Sequence, residues 1–335
     1  MTPVTEWVTW RTAMERALYG DDGFYRRPGA GPAAHFRTSA HNPVFAEAVG
    51  RLLLQVDERL GHPDRLDFVD LAAGRGELAA GVAEWLTTRS PDTAARLRTI
   101  AVDLGPRPEG LPETVAWAAE APDGIVGLLF ANEWLDNVVC DVAEVDEDGV
   151  VRLVEVDPAT GAERPGAPPD PAQRAWLARW WPLDGAGPGA RAELGLDRDA
   201  AWRSAVGRLE RGLAVAVDYS HTAASRPRFG TLTGYRDGHQ VPPVPDGSCD
   251  ITAHVALDAC AAAVAAPSSG VGTVLTTQRE HLRDLGISGT RPDLSQASTD
   301  PLGYLRGLSR ASAAAELTDP DGLGAFGWLL TFSDC

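Results

Sequence analysis

Apolar residues recur every three or four positions in two segments near the start of the chain. Residues 5–18 (TEWVTWRTAMERAL) and 43–60 (PVFAEAVGRLLLQVDERL) each place their apolar side chains on one stripe of a helix. The Gly- and Pro-rich residues 26–42 between them are typical of a loop. The pattern therefore predicts an N-terminal helical region.

From residue 67 onward the pattern changes to short apolar runs separated by helical segments. Such alternation predicts strands and helices that follow one another and build a mostly parallel sheet with helices on both faces. The predicted strands lie in LDFVDL, RTIAVDL, GIVGLLFAN, GLAVAVDYS and GVGTVLTTQ. The fold class expected from this pattern is α/β.

Three later regions interrupt that alternation. Residues 140–156 alternate apolar and polar positions around Glu147-Asp148-Gly149, which predicts a β-hairpin. Residues 157–190 are rich in Pro, Gly and Ala and predict irregular chain apart from a short helix near PAQRAWLARWW. Residues 220–250 are turn-rich, and Thr252 is a candidate N-cap of the helix that follows.

Length and apolar content indicate a globular protein. The chain has 335 residues, of which 44% are hydrophobic, enough for a large core. No apolar run follows a basic N-terminal flank, and none approaches the roughly 20 residues that cross a bilayer, so the expected address is cytoplasmic. The four cysteines form no C-x-x-C pair, which predicts reduced thiols and no zinc site.

Charge narrows the classes of function. The net charge is −17, so phosphate backbones and anionic lipid surfaces are repelled and a cationic partner is favoured. All 30 basic residues are arginine, because the sequence contains no lysine. This composition excludes Schiff-base catalysis by lysine and a P-loop or kinase-type phosphate lysine.

The stretch FVDLAAGRGELAAGV, residues 68–82, carries the first candidate chemistry. An apolar strand ends in Asp70, a turn containing Gly74 and Gly76 follows, and a helix begins at once. Such a turn exposes backbone amides beside a helix N-terminus and suits a cofactor that carries a carboxylate or a phosphate.

Two cofactor classes use this geometry. Gly74, Gly76 and Ala79 satisfy the spacing of the dinucleotide fingerprint, whereas an acid at Asp70 suits the amino group of S-adenosylmethionine better than a pyrophosphate. Asp103 ends the next strand, where a carboxylate accepts both ribose hydroxyls under either cofactor. The alternative is that Asp70 and Asp103 only cap strand ends.

Further motifs bring in a family resemblance. The strand LLFANEWLDNVV, residues 128–139, and the stretch GTLTGYRDGHQVPPVPDGSCDITAHV resemble the family of the mitochondrial complex I assembly methyltransferase and its bacterial relatives, known as MidA. ERALYGDDGFY, FRTS, DLAAGRGEL, VAVDYS, TTQREHLRDLGI and GLGAF extend the resemblance over most of the chain.

The resemblance implies a class I, Rossmann-like, S-adenosylmethionine-dependent methyltransferase with a mostly parallel seven-stranded sheet. Mitochondrial members methylate arginine on a respiratory-chain subunit. The implied organisation is an N-terminal helical region, 1–62, contributing to the substrate side. A methyltransferase domain, 63–335, follows, with insertions at about 157–200 and 220–250 that form a substrate-side subdomain.

Site residues follow from the resemblance by position. The implied cofactor residues are Asp70, Ala72, Gly74, Gly76, Asp103, Leu104, Asn132 and Glu133. The implied catalytic residues, without any metal, are Glu133, Asp136 and His239, and the implied substrate-side residues are Tyr235, Arg236 and Asp250. Two carboxylates three residues apart suit a guanidinium, which presents a planar fork of donors.

The sequence also departs from the family pattern. Ala72 stands where the first glycine of the turn is usual, and Ala40-His41 replaces a Pro-Glu pair after FRTS. Ser220 replaces the glycine of an Asp-Tyr-Gly motif, and Thr233 stands where arginine is common. These changes weaken the transfer of substrate identity more than that of the cofactor.

Three functions remain open from the sequence. The first is a methyltransferase acting on a protein side chain, with arginine and a respiratory-complex subunit implied by the resemblance and a homo-oligomer left open. The second is a nicotinamide-dependent oxidoreductase, and the third is a non-catalytic assembly factor. Nucleic-acid methylation is disfavoured, because NEWL lacks the two prolines of the amino-methylating turn and the charge opposes phosphate.

Overall fold

The computed structural model describes residues 6–26, 38–265 and 272–333. The helices are α1 (Trp10–Tyr19), α2 (Pro43–Arg59), α3 (Glu77–Arg89), α4 (Pro91–Ala94), α5 (Pro171–Trp180), α6 (Leu196–Val206), α7 (Leu257–Val264), α8 (Gln278–Asp284), α9 (Gln296–Thr299) and α10 (Pro301–Leu317). Short 3-10 turns occur at Ser39–His41, Ala223–Ser225 and Leu323–Ala325.

Strands β1–β9 lie between residues 8 and 193. They are β1 (Val8–Thr9), β2 (Leu66–Leu71), β3 (Leu97–Val102), β4 (Val115–Ala118), β5 (Ile125–Asn132), β6 (Val142–Val145), β7 (Val151–Val156), β8 (Glu163–Pro165) and β9 (Arg191–Glu193). The later strands are β10 (Leu209–Asp218), β11 (Ser220–His221), β12 (Thr233–Arg236), β13 (His239–Val241), β14 (Asp250–Thr252), β15 (Val255–Ala256), β16 (Gly272–Thr277) and β17 (Gly327–Ser333).

The chain forms two compact units. The sheet unit comprises the described residues within Arg37–Asn132, Ala205–Val217 and Pro267–Cys335. The hairpin unit comprises those within Met1–Phe36, Glu133–Ser204 and Asp218–Ala266. Helix α2 belongs to the sheet unit, and the predicted division of the chain at residue 62 stays a prediction.

The sheet unit is built on seven strands in the order β16-β17-β10-β5-β2-β3-β4. From β10 to β4 each neighbouring pair is parallel, whereas β16 and β17 are antiparallel. The sheet is therefore mixed, and the predicted α/β class is confirmed. The sequence patterns did not predict β17 (GWLLTFS), which supplies the antiparallel neighbour of β16.

The parallel strands are buried, as their apolar sequences predict. Every residue of β5 is buried, and Phe130 on β5 meets Phe45 of α2 and Trp328 of β17 in edge-to-face contacts. Because β2 pairs with β3 and with β5 in parallel register, the ends of these three strands lie at one edge of the sheet. Asp70, Asp103 and Asn132 come to that edge together.

Both predicted N-terminal helices form, as α1 and α2. The Thr9 side chain accepts the Thr12 amide at the start of α1, and the Asn42 side chain accepts the Val44 amide at the start of α2. Pro43 occupies the first turn of α2, where its missing N–H has no helical partner to lose. The predicted loop 26–42 lies largely outside the described residues.

The hairpin unit contains three small sheets. The largest has the order β1-β7-β6-β9, with β8 also paired to β7; the others are β13-β12-β14 and the parallel pair β11-β15. The hairpin predicted around residues 147–149 is confirmed as β6–β7. Asp146 Oδ1 accepts the Asp148 and Val150 amides, and Gly149 supplies the left-handed φ of +79°.

The prediction of a helix beginning at Thr252 is wrong. Thr252 lies in β14, and the helix begins at Leu257 as α7. The Thr252 hydroxyl donates to Asp136 at 2.7 Å in a buried site, and this tertiary bond replaces the expected N-cap bond. His254 lies between β14 and β15, before the helix begins.

The helix predicted near PAQRAWLARWW is confirmed as α5, where Asp170 and Gln173 form a capping box.

No helix among the described residues is long and apolar enough to cross a membrane.

Candidate functional site

In the turn after β2, three residues adopt the left-handed backbone conformation. Ala72, Gly74 and Gly76 have φ values of +57°, +59° and +79°. At Gly76 an added Cβ would lie 2.8 Å from Leu111 Cδ1, whereas at Gly74 it would meet no heavy atom within 4 Å. The turn thus has open space beside Gly74, where a ligand can approach the backbone.

Asp103 links this turn to the end of β3. Its Oδ2 accepts the Gly74 amide and its Oδ1 accepts the Gly105 amide, both at 2.9 Å. A carboxylate has about four lone-pair sites, so both oxygens keep capacity for ribose hydroxyls. Leu104 beside it is 61% exposed, and Trp117 donates its indole N–H to the Gly105 carbonyl at 3.0 Å.

Asp70 is a buried carboxyl at the end of β2. Its Oδ2 accepts the Ala79 amide of α3 at 3.1 Å, and only 2% of the residue is exposed. Burial raises the pKa of Asp70 to about 8, with smaller contributions from Asp103 and Glu77, although the amide bond opposes the shift. An approaching ammonium group would favour the ionised form of such a carboxyl.

The predicted cofactor residues of the sheet unit therefore share one edge of the sheet. Two acids, an open glycine turn and the N-terminus of α3 fit a ligand carrying an amine, a carboxylate and a ribose. Asn132 ends β5 at the same edge and is 9% exposed. His41, which replaces an expected acid, lies with its Nε2 3.9 Å from Glu77 Oε1 in the first turn of α3.

The hairpin unit begins directly after Asn132 with a turn that carries the predicted catalytic acids. Glu133 has a left-handed φ of +52°, which is rare for a residue with a side chain. Asp136 is buried; its Oδ2 accepts the Thr252 hydroxyl, and its Oδ1 has no hydrogen-bond partner within the described residues.

Asp250 is a second buried acid of this unit. Its Oδ1 accepts the Tyr25 hydroxyl at 2.8 Å and the Asn137 side-chain amide at 2.9 Å. Burial raises the pKa of Asp250 to about 7, with a further rise from Asp136, while the two hydrogen bonds oppose it. Burial also raises the pKa of Tyr25 well above its ordinary value, so Tyr25 remains a donor.

Asp218 is a third buried acid, at the end of β10. Its Oδ2 accepts the amides of Leu135 and Asp136 at 2.9 and 3.2 Å, and its Oδ1 has no hydrogen-bond partner in the described part of the chain. Burial raises the pKa of Asp218 well above its ordinary range, and the negative charges of Asp136 and Glu133 add to the effect.

The remaining predicted residues lie on the small sheet β13-β12-β14. Tyr235 pairs across the strands with Asp250 and is half-buried. Arg236 and His239 pair with each other beside the turn of the β12–β13 hairpin, and both are exposed. The His239 Nδ1–H donates to the Asp237 carbonyl at 2.7 Å. The catalytic role of His239 stays a prediction.

Asp136, Asp218 and Asp250 form the acidic cluster of the hairpin unit, and sequence reasoning missed Asp218 and two residues bonded to the cluster. Asp218 ends an apolar strand just as Asp70 does, so the same signal was available for both. Tyr25 lies in the motif GDDGFY, which received no role. Arg198, a buried arginine that bonds to the Asp136 carbonyl, carries no sequence signal of its own.

Comparison with known proteins agrees with this geometry. Residues 48–272 match a family, Methyltransf_28, whose description is "Putative S-adenosyl-L-methionine-dependent methyltransferase". A search of curated proteins finds no match.

Two crystal structures of COG1565 superfamily proteins from Burkholderia thailandensis are similar over almost the whole chain. One is bound to S-adenosyl-homocysteine and has 26% identity and a TM-score of 0.76, covering 98% of this chain and 88% of that chain. The other, a native structure, has 25% identity and a TM-score of 0.76, covering 98% and 87%. The chain therefore belongs to the Methyltransf_28 family of S-adenosylmethionine-dependent methyltransferases, and its cofactor is S-adenosylmethionine.

Proposed function

We propose that the protein transfers a methyl group from S-adenosylmethionine to a guanidinium nitrogen of an arginine side chain in a protein. The observation that carries this proposal is the acidic cluster of the hairpin unit. Asp136 and Asp218 are at most 5% exposed, and each keeps one carboxylate oxygen without a hydrogen-bond partner among the described residues.

Buried carboxylate oxygens without partners favour a cationic ligand. Leaving a buried polar group unsatisfied costs about 1–3 kcal/mol, and more for charged groups. A guanidinium offers five N–H donors in one plane and pairs with carboxylates in two directions. The raised pKa values of Asp136, Asp218 and Asp250 are what an incoming cation would reverse.

The chain's own residues then align the acceptor. When bound, S-adenosylmethionine supplies an electrophilic methyl group on its sulfonium. Glu133 and Asp136 hold the guanidinium and keep electron density on the attacking nitrogen. That nitrogen must lose a proton, and the pKa of Asp250 near 7 suits it to proton exchange at neutral pH.

The resemblance to the MidA family supports arginine as the acceptor and a respiratory-complex subunit as the client. The net charge of −17 supports a cationic partner over a nucleic acid. Cytoplasmic location, a homo-oligomer and the identity of the client stay predictions. The nicotinamide alternative is set aside, because the family and its cofactor are established above.

The cofactor half of the proposal is tested by calorimetric titration with S-adenosylhomocysteine. Asp103→Asn removes a charged acceptor from two backbone amides and from the ribose site. Hydrogen bonds to charged groups contribute about 1.5–3 kcal/mol, so we expect roughly tenfold to hundredfold weaker binding. Asp92→Asn, on the exposed start of α4, serves as control and should bind like the wild type.

The acceptor half is tested by incubating the protein with methyl-labelled cofactor and lysate of its source, followed by mass spectrometry of the labelled protein. We expect label on arginine, lost in Asp136→Asn while S-adenosylhomocysteine still binds. Label on another residue type would overturn the guanidinium assignment. Cofactor binding without any transfer would favour the non-catalytic assembly factor.

A further inference from the structure

We propose that Asp218 and Arg198 are positioning residues for the methyl acceptor, because they hold the backbone of the acidic turn, residues 133–138, from its two hydrogen-bonding sides. This inference rests on the proposed function, since it places both residues on the acceptor side of that reaction. Neither residue was singled out by the sequence patterns, and all atoms involved belong to the hairpin unit.

Asp218 holds the amide side of the turn. Its Oδ2 accepts the amides of Leu135 and Asp136, which are consecutive donors that the turn itself does not satisfy. These bonds become charge-assisted, and therefore stronger, when Asp218 is ionised. The Asp218 side chain is 1% exposed, so water does not compete for these amides.

Arg198 holds the carbonyl side. Its Nη2 donates to the Asp136 carbonyl at 2.8 Å, and its Nε donates to the Val138 carbonyl at 3.1 Å. Its Nη1 donates to the His254 carbonyl at 3.0 Å, which ties the turn to the segment after β14. Arg198 is 2% exposed, so water does not compete for its three bonds to backbone carbonyls.

Asp136 is therefore fixed at three points. Its amide is held by Asp218, its carbonyl by Arg198 and its Oδ2 by Thr252. Its Oδ1, which has no partner among residues 6–26, 38–265 and 272–333, is left for an acceptor. The turn held in this way begins at Glu133, whose φ is left-handed, two residues before Leu135. A site whose side chains are fixed in this way is pre-organised for alignment.

Arg198 also supplies positive charge to the cluster. Burial alone would lower the pKa of Arg198, but the nearby Cys140, Glu193, Asp136 and Asp218 raise it, so the guanidinium stays charged. In return Arg198 opposes the rise in the pKa values of Asp136 and Asp218. The other titratable groups facing these two acids are Glu133, Asp250, Tyr25, Tyr219, Tyr235 and Cys260.

The first test measures hydrogen exchange of the acidic turn in the full-length protein. In Asp218→Ala we expect the Leu135 and Asp136 amides to exchange roughly tenfold to hundredfold faster, with smaller changes elsewhere. Asp67→Ala is the matched control: Asp67 is a fully buried acid that accepts the Val126 amide in the sheet unit. It should leave residues 133–138 unchanged.

The second test separates the hydrogen bonds of Arg198 from its charge. Methylguanidine, which carries the acceptor group alone, is titrated into wild type, Arg198→Met and Arg198→Lys between pH 6 and 9. Without the cation, the buried acids hold their protons to higher pH, so the pH midpoint of binding should rise by about one unit in Arg198→Met. Lysine keeps the charge and should restore most of that midpoint, while exchange in the turn stays fast.

Arg226→Met is the matched control for arginine burial. Arg226 belongs to the same unit, has 8% side-chain exposure and bonds to Asp258 and to the His221 and Trp180 carbonyls. It should move neither the exchange of residues 133–138 nor the pH midpoint.

Unchanged exchange of the acidic turn in both Asp218→Ala and Arg198→Met would overturn the proposal, as would a pH midpoint in Arg198→Met equal to that of wild type. If the wild type does not bind methylguanidine, the cationic acceptor itself is wrong. The exchange data then decide alone whether the two residues hold the turn.

Discussion

Ala72 and Glu133 both adopt a left-handed backbone conformation although they are not glycines. Ala72 directly follows the C-terminal end of β2, and Glu133 directly follows that of β5. Left-handed φ costs an L residue about 1–2 kcal/mol, so such residues persist where surrounding structure imposes them. Glu133 begins the acidic turn, in which Leu135 and Asp136 are held by Asp218 and Arg198. At Ala72 the next residue is held, since the Ala73 amide donates to the Val102 carbonyl.

Replacing Ala72 by glycine should therefore stabilise the protein. Glycine relieves the left-handed strain, and its extra freedom in the unfolded chain takes back only part, leaving a gain of about 0.5–1 kcal/mol in the free energy of unfolding. The measurement is the urea midpoint of Ala72→Gly against wild type. Ala73→Gly, whose φ is not positive, is the control and should lower the midpoint; equal shifts in both variants would contradict the strain at Ala72.

Asp70 gives a pH dependence with a definite sign. Its folded pKa of about 8 lies above its ordinary 3.8, so the folded protein retains a proton that the unfolded chain releases between those values. Its contribution to stability is therefore complete below about pH 4 and declines until about pH 8, by at most about 1.4 kcal/mol per pH unit.

The measurement compares urea midpoints of wild type and Asp70→Asn from pH 5 to 8.5. The asparagine does not titrate, so the wild type should lose stability relative to the variant as pH rises. Saturating S-adenosylmethionine, whose amine would favour the ionised carboxyl, should flatten the difference. Parallel curves without cofactor would show that Asp70 is not the titrating group.

At the scale of elements, the close pairing of β2, β5 and β10 requires glycine at two positions, Gly127 and Gly212. Gly127 on β5 is paired with Asp67 on β2 and with Gly212 on β10, and its φ is +147°. A Cβ on Gly127 would overlap the Asp67 carbonyl oxygen, and one on Gly212 would overlap the Gly127 carbonyl oxygen. The glycines let the start of β5 pass between the strands that carry Asp70 and Asp218.

Gly127→Ala should consequently be far more damaging than a glycine substitution with φ strain alone. Gly149→Ala is the control, because Gly149 also has positive φ but no heavy atom lies within 4 Å of the added Cβ. We expect a loss of about 1–2 kcal/mol at Gly149 and more than about 4 kcal/mol at Gly127, measured by thermal unfolding and soluble yield. Similar losses at both sites would mean that β2 moves aside.

An element could be predicted from the sequence when the residues that determine it are close together along the chain. The strands ending in Asp70, Asp103 and Asn132 were predictable because their apolar runs and polar ends lie in a few consecutive residues. The sequence patterns did not predict β17, whose place in the sheet is set by distant segments. Its neighbour β10 ends about a hundred residues before it, and its neighbour β16 ends about fifty residues before it. Thr252 was misassigned because its decisive bond goes to Asp136.

The same reasoning applies to the site. Tyr25 reaches Asp250, and Arg198 reaches the Asp136 carbonyl, from distant segments of the chain. No periodicity or turn signal encodes such contacts. Local pattern thus identified the acids at strand ends, whereas the groups that hold those acids needed the tertiary structure.

At the scale of the whole molecule, charge is the dominant property. The chain has 47 acidic residues against 30 arginines. Such an excess produces an attractive field for cations and a repulsive one for anions over distances that salt controls. Because no lysine is present, the protein's own cationic groups are all guanidinium groups apart from its N-terminus and any protonated histidine.

The electrostatic field of the protein should speed the association of a cationic acceptor. Varying the salt concentration distinguishes this long-range attraction from binding through direct contacts. Raising ionic strength from 10 to 150 mM shortens the screening length from about 30 Å to about 8 Å. For a glycine-rich peptide with three arginines, we expect the association rate to fall several-fold over this range, with a smaller change in the dissociation rate. The corresponding one-arginine peptide should show a weaker salt dependence, and S-adenosylhomocysteine, with a net charge near zero, should show almost none. Equal salt dependence for all three ligands would mean that the net charge of the protein does not act on the acceptor, and that recognition of arginine depends on the acidic cluster alone.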